Sequence, residues 1–249
     1  MYLSHSIPYP TTRFSNQGFD IKELCKSEKG RSVPYSVIGN GEKAVILTAR
    51  HHCCEASGGY VMEGTAGYLK ENLPPELKVI VVPYVDYDGV YDGDQGKNRR
   101  PHDHNRDYEN SIYSTVKAIK ALTEKEKILY AFDFHAPYYQ GGRRDYPFIV
   151  HSDEGEETYS FARLLEKETG HLPIKYSITN DVGYGVEWNK KSDRKDKFSS
   201  YFASRAENIL AFTLETPYFG TAEHETSIDY YLELGKSFAR AFLKFHERI

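Results

Sequence analysis

The stretch AVILTARHHCCE, residues 44–55, joins a short apolar run to a cluster of arginine, histidine, cysteine and glutamate. The run has the length of a β-strand and no polar alternation, which is typical of a strand buried on both faces of a parallel sheet. In open α/β sheets, ligands bind beyond the carboxyl ends of the strands. Because the polar cluster follows this strand directly, we expect it to lie at a functional edge of the sheet.

The rest of the chain alternates apolar runs with helical stretches. We predict strands at residues 33–39, 44–49, 78–84, 128–134, 146–150 and 208–214. We predict helices at residues 59–73, 111–122, 154–169 and 227–246. The glycines of the turn at 39–41 predict that the first two strands form a hairpin. The alternation indicates an α/β fold, a single domain over residues 1–249 whose mixed, mostly parallel twisted sheet carries helices on both faces.

The composition of the 249 residues argues against several classes of protein. Hydrophobic residues make up 39%, which is enough for a core and unlike a disordered chain. No apolar run approaches the roughly 18 residues of a membrane helix, so we expect no membrane partner. The net charge of −4 argues against a general nucleic-acid binder. Three cysteines form no disulfide framework and the N-terminus shows no signal-peptide pattern, so we expect a cytoplasmic protein.

Four predicted strands are each followed by side chains that can do chemistry. These side chains belong to residues 50–55, to the loop at 98–106, to His135 and to Glu215. Because the carboxyl ends of parallel strands meet at one edge of a sheet, imidazole, carboxylate and guanidinium groups should gather there. Their coincidence indicates a functional site at this edge.

A metal site is the first interpretation of these groups. His52 and Glu55 lie three residues apart at a strand-to-helix transition, so both could reach one ion, with His135 as a third ligand. Catalytic zinc takes three protein ligands and keeps a fourth position for water. His51 could replace His52, but only His52 has Glu55 three residues further on. The alternative is two surface histidines and a glutamate favoured by a helix dipole. Asp133, two residues before His135 on the same strand, could orient its imidazole.

Four segments resemble the zinc metallocarboxypeptidases related to carboxypeptidase A, and they occur in that family's order. Residues 48–55 resemble the family's first metal-binding segment, and the loop at 88–107 resembles its loop of Asp-Gly followed by arginine and Asn-Arg. FDFH at 132–135 and FTLET at 212–216 resemble the segments of the third ligand and the catalytic glutamate. The resemblance implies a carboxypeptidase-like fold of the compact bacterial or cytosolic type.

The resemblance also implies the chemistry of the site. His52, Glu55 and His135 would bind one zinc ion per chain, which lowers the pKa of its bound water to about 7. Glu215 would take a proton from that water as general base and return it to the leaving amine as general acid. The implied activity is removal of the C-terminal residue of a peptide.

Further residues would act on the substrate. Arg99, or else Arg100, would stabilise the oxyanion beside the metal. Asn105 and Arg106 would bind the free C-terminal carboxylate of the peptide, because a guanidinium matches a carboxylate in a two-pronged hydrogen bond.

The family has a mobile tyrosine before its catalytic glutamate. Three residues compete for this role, Tyr176, Tyr184 and Tyr201, and we favour Tyr184 as a substrate-binding residue.

Two other functions fit the same residues. Succinylglutamate desuccinylases and aspartoacylases resemble this pattern and cleave N-acyl amino acids, although the Asp-Gly and Asn-Arg loop favours a peptidase. A catalytically silent relative would bind peptide termini as a recognition module. Glu215, present together with a complete ligand set, counts against this third interpretation. The sequence predicts no particular C-terminal residue and no oligomeric state.

Overall fold

The computed structural model describes residues 6–137, 140–192 and 194–249, and their strands form one sheet. The strands are β1 Ile21–Lys26, β2 Ser32–Gly39, β3 Lys43–Ala49, β4 Leu77–Val82, β5 Lys127–His135, β6 Phe148–His151 and β7 Leu210–Glu215. Their order is β1-β2-β4-β3-β5-β7-β6. The four central strands β4, β3, β5 and β7 are parallel, and the strands at both edges are antiparallel. The predicted α/β class and mixed sheet are therefore confirmed.

Strand β3 lies between β4 and β5, and six of its seven residues are buried. Its side chains alternate between the two faces of the sheet. Val45 and Leu47 pack into the larger core, and Ala44 and Ile46 pack into the smaller core on the other face. Both faces of the strand are covered, which explains its unbroken apolar sequence.

Six α-helices cover the sheet. They are α1 Ala56–Asn72, α2 Tyr87–Asp92, α3 Ser114–Thr123, α4 Glu156–Glu168, α5 Phe198–Ala203 and α6 Ile228–His246. Helices α1, α4 and α6 contribute to the larger core, and α3 and α5 contribute to the smaller one. Among the described residues, none of the helices has the length and apolar composition that a membrane crossing requires.

The predicted hairpin of β2 and β3 is wrong. Strand β2 pairs with β1 and β4, and β3 pairs with β4 and β5. The glycine turn instead carries the chain past the start of β4. A Cβ atom at Gly41 would lie 2.1 Å from the carbonyl carbon of Glu76, so this crossing needs a glycine. The half-exposed strand β1, which the sequence analysis missed, is the antiparallel hairpin partner of β2.

Helices α1 and α6 approach each other closely at two glycines. A Cβ atom on Gly64 would lie 2.2 Å from the carbonyl oxygen of Leu232, and one on Gly235 would lie 2.1 Å from that of Val61. Thr65 Oγ1 donates a hydrogen bond to the Gly235 carbonyl at 3.1 Å across the same contact. This contact fixes the position of α1 against α6. The first turn of α1 directly follows the polar cluster of residues 50–55.

We expect Gly64→Ala to lower the free energy of unfolding by about 1–3 kcal/mol, because a methyl group there overlaps backbone atoms of α6. Gly67→Ala is the matched control in the same helix, since a Cβ atom at Gly67 meets no atom within 4 Å. Alanine is the better helix former, so the control should gain about 0.4–1 kcal/mol. Urea unfolding of both variants measures the difference, and equal stabilities would contradict the close helix contact.

Candidate metal centre and cleft

The ends of β3, β5 and β7 bring the predicted site residues together. His135 ends β5 and is the register partner of Glu215, which ends β7. The turn after β3 is fixed by Arg50, a buried residue with a φ of 63°. Its guanidinium donates to the carbonyl oxygens of Cys53, at 2.8 Å from Nε, and of Tyr9, at 2.9 Å. The turn therefore directs residues 52–55 over the end of β5.

Glycine also allows helix α1 to begin directly above His135. A Cβ atom on Gly58 would lie 2.6 Å from the carbonyl oxygen of Phe134 and 3.0 Å from the backbone nitrogen of His135. Glu55 precedes the first residue of α1. The close seating of the helix thus brings the Glu55 carboxylate against His135.

His52, Glu55 and His135 form a compact set of donor atoms. One ligand atom from each lies within 4.8 Å of the others. His52 Nδ1 lies 2.9 Å from Glu55 Oε1, and His135 Nδ1 lies 2.7 Å from Glu55 Oε2. Two imidazole nitrogens and a carboxylate are a donor set that catalytic zinc uses, so the residues present fit this ion.

Asp133 orients the His135 ring, as predicted. Its Oδ2 lies 2.5 Å from His135 Nε2, and its Oδ1 accepts from Thr48 Oγ1 at 2.8 Å and lies 2.8 Å from His51 Nδ1. Burial by itself would raise the pKa of Asp133, but His135 and His51 outweigh it and hold the pKa below its ordinary value. With Nε2 occupied, His135 turns Nδ1 toward Glu55.

A second set of possible ligands comprises His51, Asp133 and His135. All three are buried, and His51 Nε2 already has a partner in the Tyr108 hydroxyl at 2.9 Å. Neither His51 nor Asp133 is among the described residues that line the cleft beside the site. The geometry therefore favours the set with His52, which opens onto the cleft.

The Glu215 carboxylate lies in a different environment from the carboxylate of Glu55. Its Oε2 is buried and has no hydrogen-bond partner among the described residues. Burial, followed by the charge of Glu55, raises the pKa of Glu215 to about 7. A buried carboxylate oxygen without a partner destabilises a fold, so its presence beside the ligand set indicates a functional role.

A cleft of about 670 Å³ opens over these groups. All of the predicted site residues except Arg99 line it, namely His52, Glu55, Asn105, Arg106, His135, Tyr184 and Glu215. The fold therefore brings seven of the eight predicted site residues together in one cleft.

Asn105 and Arg106 reach the cleft from a short 3-10 helix, His104–Arg106. Asn105 Oδ1 accepts from the backbone N–H of Phe198 at 3.0 Å, and Asn105 Nδ2 lies 3.3 Å from His135 Nε2. The hydrogen bond from Phe198 holds the helix beside the ligand set. Arg106 donates from one guanidinium nitrogen to the carbonyl oxygen of Asn105 at 2.7 Å.

Arg99 lies outside the cleft because two carboxylates hold it elsewhere. Asp86 Oδ2 accepts from Arg99 Nε at 2.7 Å, and Asp94 Oδ2 lies 3.1 Å from another nitrogen of the guanidinium. Arg100 is exposed and likewise does not line the cleft. Between α2 and the 3-10 helix, the cation that does line the cleft is Lys97, whose Nζ lies 2.7 Å from Glu55 Oε1.

No sequence motif marks Lys97 as a site residue, although Gly96 before it is a signal of a turn. Burial by itself would lower the pKa of Lys97, but Glu55 and, more weakly, Glu215 outweigh it and raise the pKa. Lys97 therefore carries a positive charge beside the carboxylates of the site.

Of the three competing tyrosines, only Tyr184 lines the cleft. Its hydroxyl donates to the carbonyl oxygen of Ser192 at 3.1 Å and accepts from the Ser192 N–H at 3.2 Å. Tyr176 is fully buried and donates to Asp181 at 2.6 Å. Tyr201 packs against Tyr108. The geometry supports the choice of Tyr184.

Comparisons with known proteins find similarity to carboxypeptidases. No protein-family profile matches the chain. Human cytosolic carboxypeptidase 2 is 31% identical over 168 residues, 54% of this chain and 19% of that protein. A Plasmodium falciparum protein, provisionally named a zinc carboxypeptidase, is 27% identical to this chain over 190 residues. The match covers 70% of this chain and 11% of that protein. The chain thus spans a fifth or less of the length of these curated relatives.

Solved structures share the fold over nearly the whole chain. A metallo-carboxypeptidase from Burkholderia cenocepacia superimposes with a TM-score of 0.81 and 20% identity, covering 97% of this chain and 70% of its own. A metallo-carboxypeptidase from Pseudomonas aeruginosa, in complex with (2-guanidinoethylmercapto)succinic acid, gives a TM-score of 0.78 and 16% identity, covering 96% and 70%. At these identities the likeness shows a common fold.

We expect the wild-type protein to bind about one zinc ion per chain and His52→Ala to bind little, because one of three ligands is lost. His51→Asn is the matched control, since its amide can replace the imidazole contact with Asp133 while only the buried set is altered. Elemental analysis after dialysis measures both. Loss of zinc from His51→Asn with retention by His52→Ala would assign the metal to the buried set instead.

Proposed function

We propose that this chain is a zinc metallopeptidase of the carboxypeptidase type that removes the C-terminal residue of a peptide, as its similarity in sequence and fold to carboxypeptidases supports. The observation that carries the proposal is the buried, unpartnered Oε2 of Glu215 beside the ligand set His52, Glu55 and His135. A set of ligands alone would serve a structural metal. A carboxylate oxygen next to them that has no hydrogen-bond partner among the described residues suits a group that must accept a proton.

The proposed metal ligands are His52, Glu55 and His135. When bound, zinc polarises a carbonyl group and lowers the pKa of its water to about 7. The chain's own contribution is to hold the ligands. Asp133 fixes the His135 ring through Nε2, and Arg50 fixes the turn that carries His52 and Glu55.

Glu215 is the proposed general base and general acid. It takes one proton from the attacking water as the new C–O bond forms at the scissile carbonyl carbon. It then gives this proton to the amide nitrogen as the C–N bond breaks. The second proton of the water passes from the new carboxyl group to the released amine, so the products are a shortened peptide carboxylate and a free amino acid.

Asn105 and Arg106 are the proposed binding site for the terminal carboxylate of the substrate. Both line the cleft, and the guanidinium of Arg106 can donate two parallel hydrogen bonds to a carboxylate. Such a clamp restricts cleavage to the last peptide bond. Tyr184 lines the same cleft and is the proposed tyrosine contact with the substrate.

The proposed catalytic unit is one domain over residues 1–249. The cytoplasmic location stays a prediction, as does the absence of a nucleic-acid partner.

We expect Glu215→Gln to keep its zinc and lower kcat by about 10²–10⁴-fold, because the amide cannot accept the proton. Steady-state hydrolysis of a peptide library, with zinc content determined on the same samples, measures both quantities. Near-normal turnover in the variant would refute the mechanism. Cleavage of acyl-aspartate or acyl-glutamate with no cleavage of peptides by the wild type would replace the peptidase with an N-acyl amino acid hydrolase.

We expect Arg106→Ala to lower kcat/KM by about 10–100-fold on peptides with a free carboxylate. This is the loss that corresponds to the free energy of the charge-assisted hydrogen bonds that the variant cannot form. Peptides with an amidated C-terminus should be cleaved equally poorly by variant and wild type. Arg143→Ala is the control, since Arg143 lies outside the cleft and pairs with Glu187. An equal loss on both kinds of peptide would show that Arg106 does not bind the carboxylate.

A further inference from the structure

The loop that follows α2 carries three cations, Lys97, Arg99 and Arg100, and only Lys97 lines the cleft. Its side chain is 14% exposed, and its Nζ lies 2.7 Å from Glu55 Oε1. Glu215, the proposed base, lines the same cleft and its charge acts on Lys97. Of these three cations, the one that lies against Glu55 is therefore an ammonium.

Tight packing of the loop places Lys97 there. Gly96 has a φ of 84°, and a Cβ atom on it would lie 2.8 Å from the backbone nitrogen of Cys53. Cys53 Sγ donates to the carbonyl oxygen of Asp94 at 2.9 Å. The loop thus rests on the same turn that carries His52 and Glu55, and the residue after Gly96 projects beside them.

Arg99 cannot reach the cleft without leaving a buried carboxylate unpaired. Asp86 is 2% exposed, and its Oδ1 accepts from the Gly89 N–H at 3.0 Å while its Oδ2 accepts from Arg99. A buried ion pair is costly to break from one side, because the remaining charge has no compensation. Arg99 is therefore a positioning residue that holds the loop against α2.

We propose that Lys97 donates a hydrogen bond to the scissile carbonyl oxygen and stabilises the negative charge that develops on it during hydrolysis. This inference rests on the proposed carboxypeptidase function. A cation whose side chain is only 14% exposed stabilises developing charge more strongly than it would in bulk solvent. Lysine offers a point charge rather than a planar fork, which suits a single oxygen atom.

The contact with Glu55 gives Lys97 a second, measurable effect. The ammonium neutralises Glu55 when no metal is bound, and it repels a divalent cation held by the same carboxylate. Removing the charge should therefore leave zinc affinity unchanged or raise it, whereas removing a ligand lowers it. This readout is independent of turnover.

The test compares Lys97→Met with Lys97→Arg and Arg100→Met in the zinc-loaded protein. We expect Lys97→Met to lower kcat by about 10²–10³-fold with a smaller change in KM, and Lys97→Arg to recover part of the loss. Arg100→Met should match the wild type. Zinc affinity, measured by competition with a chromophoric chelator, should be no weaker in Lys97→Met than in the wild type.

Three outcomes would overturn the proposal. Turnover of Lys97→Met within about twofold of an active wild type would exclude Lys97 as the stabilising cation. Weaker zinc binding in Lys97→Met would show that the residue supports the metal site instead. A wild type that binds zinc and cleaves no peptide would remove the proposed function itself, and this role with it.

Discussion

The site depends on the contacts of one buried carboxylate, that of Glu55, with the groups that compensate its charge. Glu55 is 1% exposed and lies against His52, His135 and Lys97. Burial by itself would raise its pKa, but the two histidines outweigh burial and hold the pKa well below the ordinary value of a glutamate. A charge buried in this way is tolerated only when cationic or metal partners surround it. The protein therefore has to bring β3, β5 and the loop after α2 to one point.

Close contacts around Glu55 allow β3, β5 and the loop after α2 to meet at this point. Arg50 holds the turn after β3, Gly58 lets α1 begin against the end of β5, and Gly96 lets the loop rest on Cys53. The two glycines lie where any side chain would collide with backbone. The ligand side of the cleft is thus built by close contacts between segments that are far apart in the chain. Precise placement of acid, base and ligand groups depends on such contacts.

Each cation of the site has a different polar partner that fixes its position. Arg99 is occupied by Asp86 and Asp94, Arg106 stands beside Asn105, and Lys97 stands beside Glu55. Each cation has a distinct position, which accords with separate tasks in holding the loop, binding a carboxylate and stabilising an oxyanion. His51 contacts Asp133, whereas His52 contacts Glu55 and lines the cleft, so these adjacent histidines lie in different environments.

The sequence by itself determined the α/β class, the central strands and most of the residues that meet in the cleft. Apolar runs such as 44–49 mark strands that are buried on both faces, and polar residues that follow them meet at one edge because the strands are parallel. The tertiary structure decided the pairing of β2, because Gly41 serves a close crossing past Glu76 that looks locally like a hairpin turn. It also decided that Lys97 and not Arg99 faces Glu55. That choice follows from Asp86, a carboxylate whose burial and partner exist only once the chain has folded.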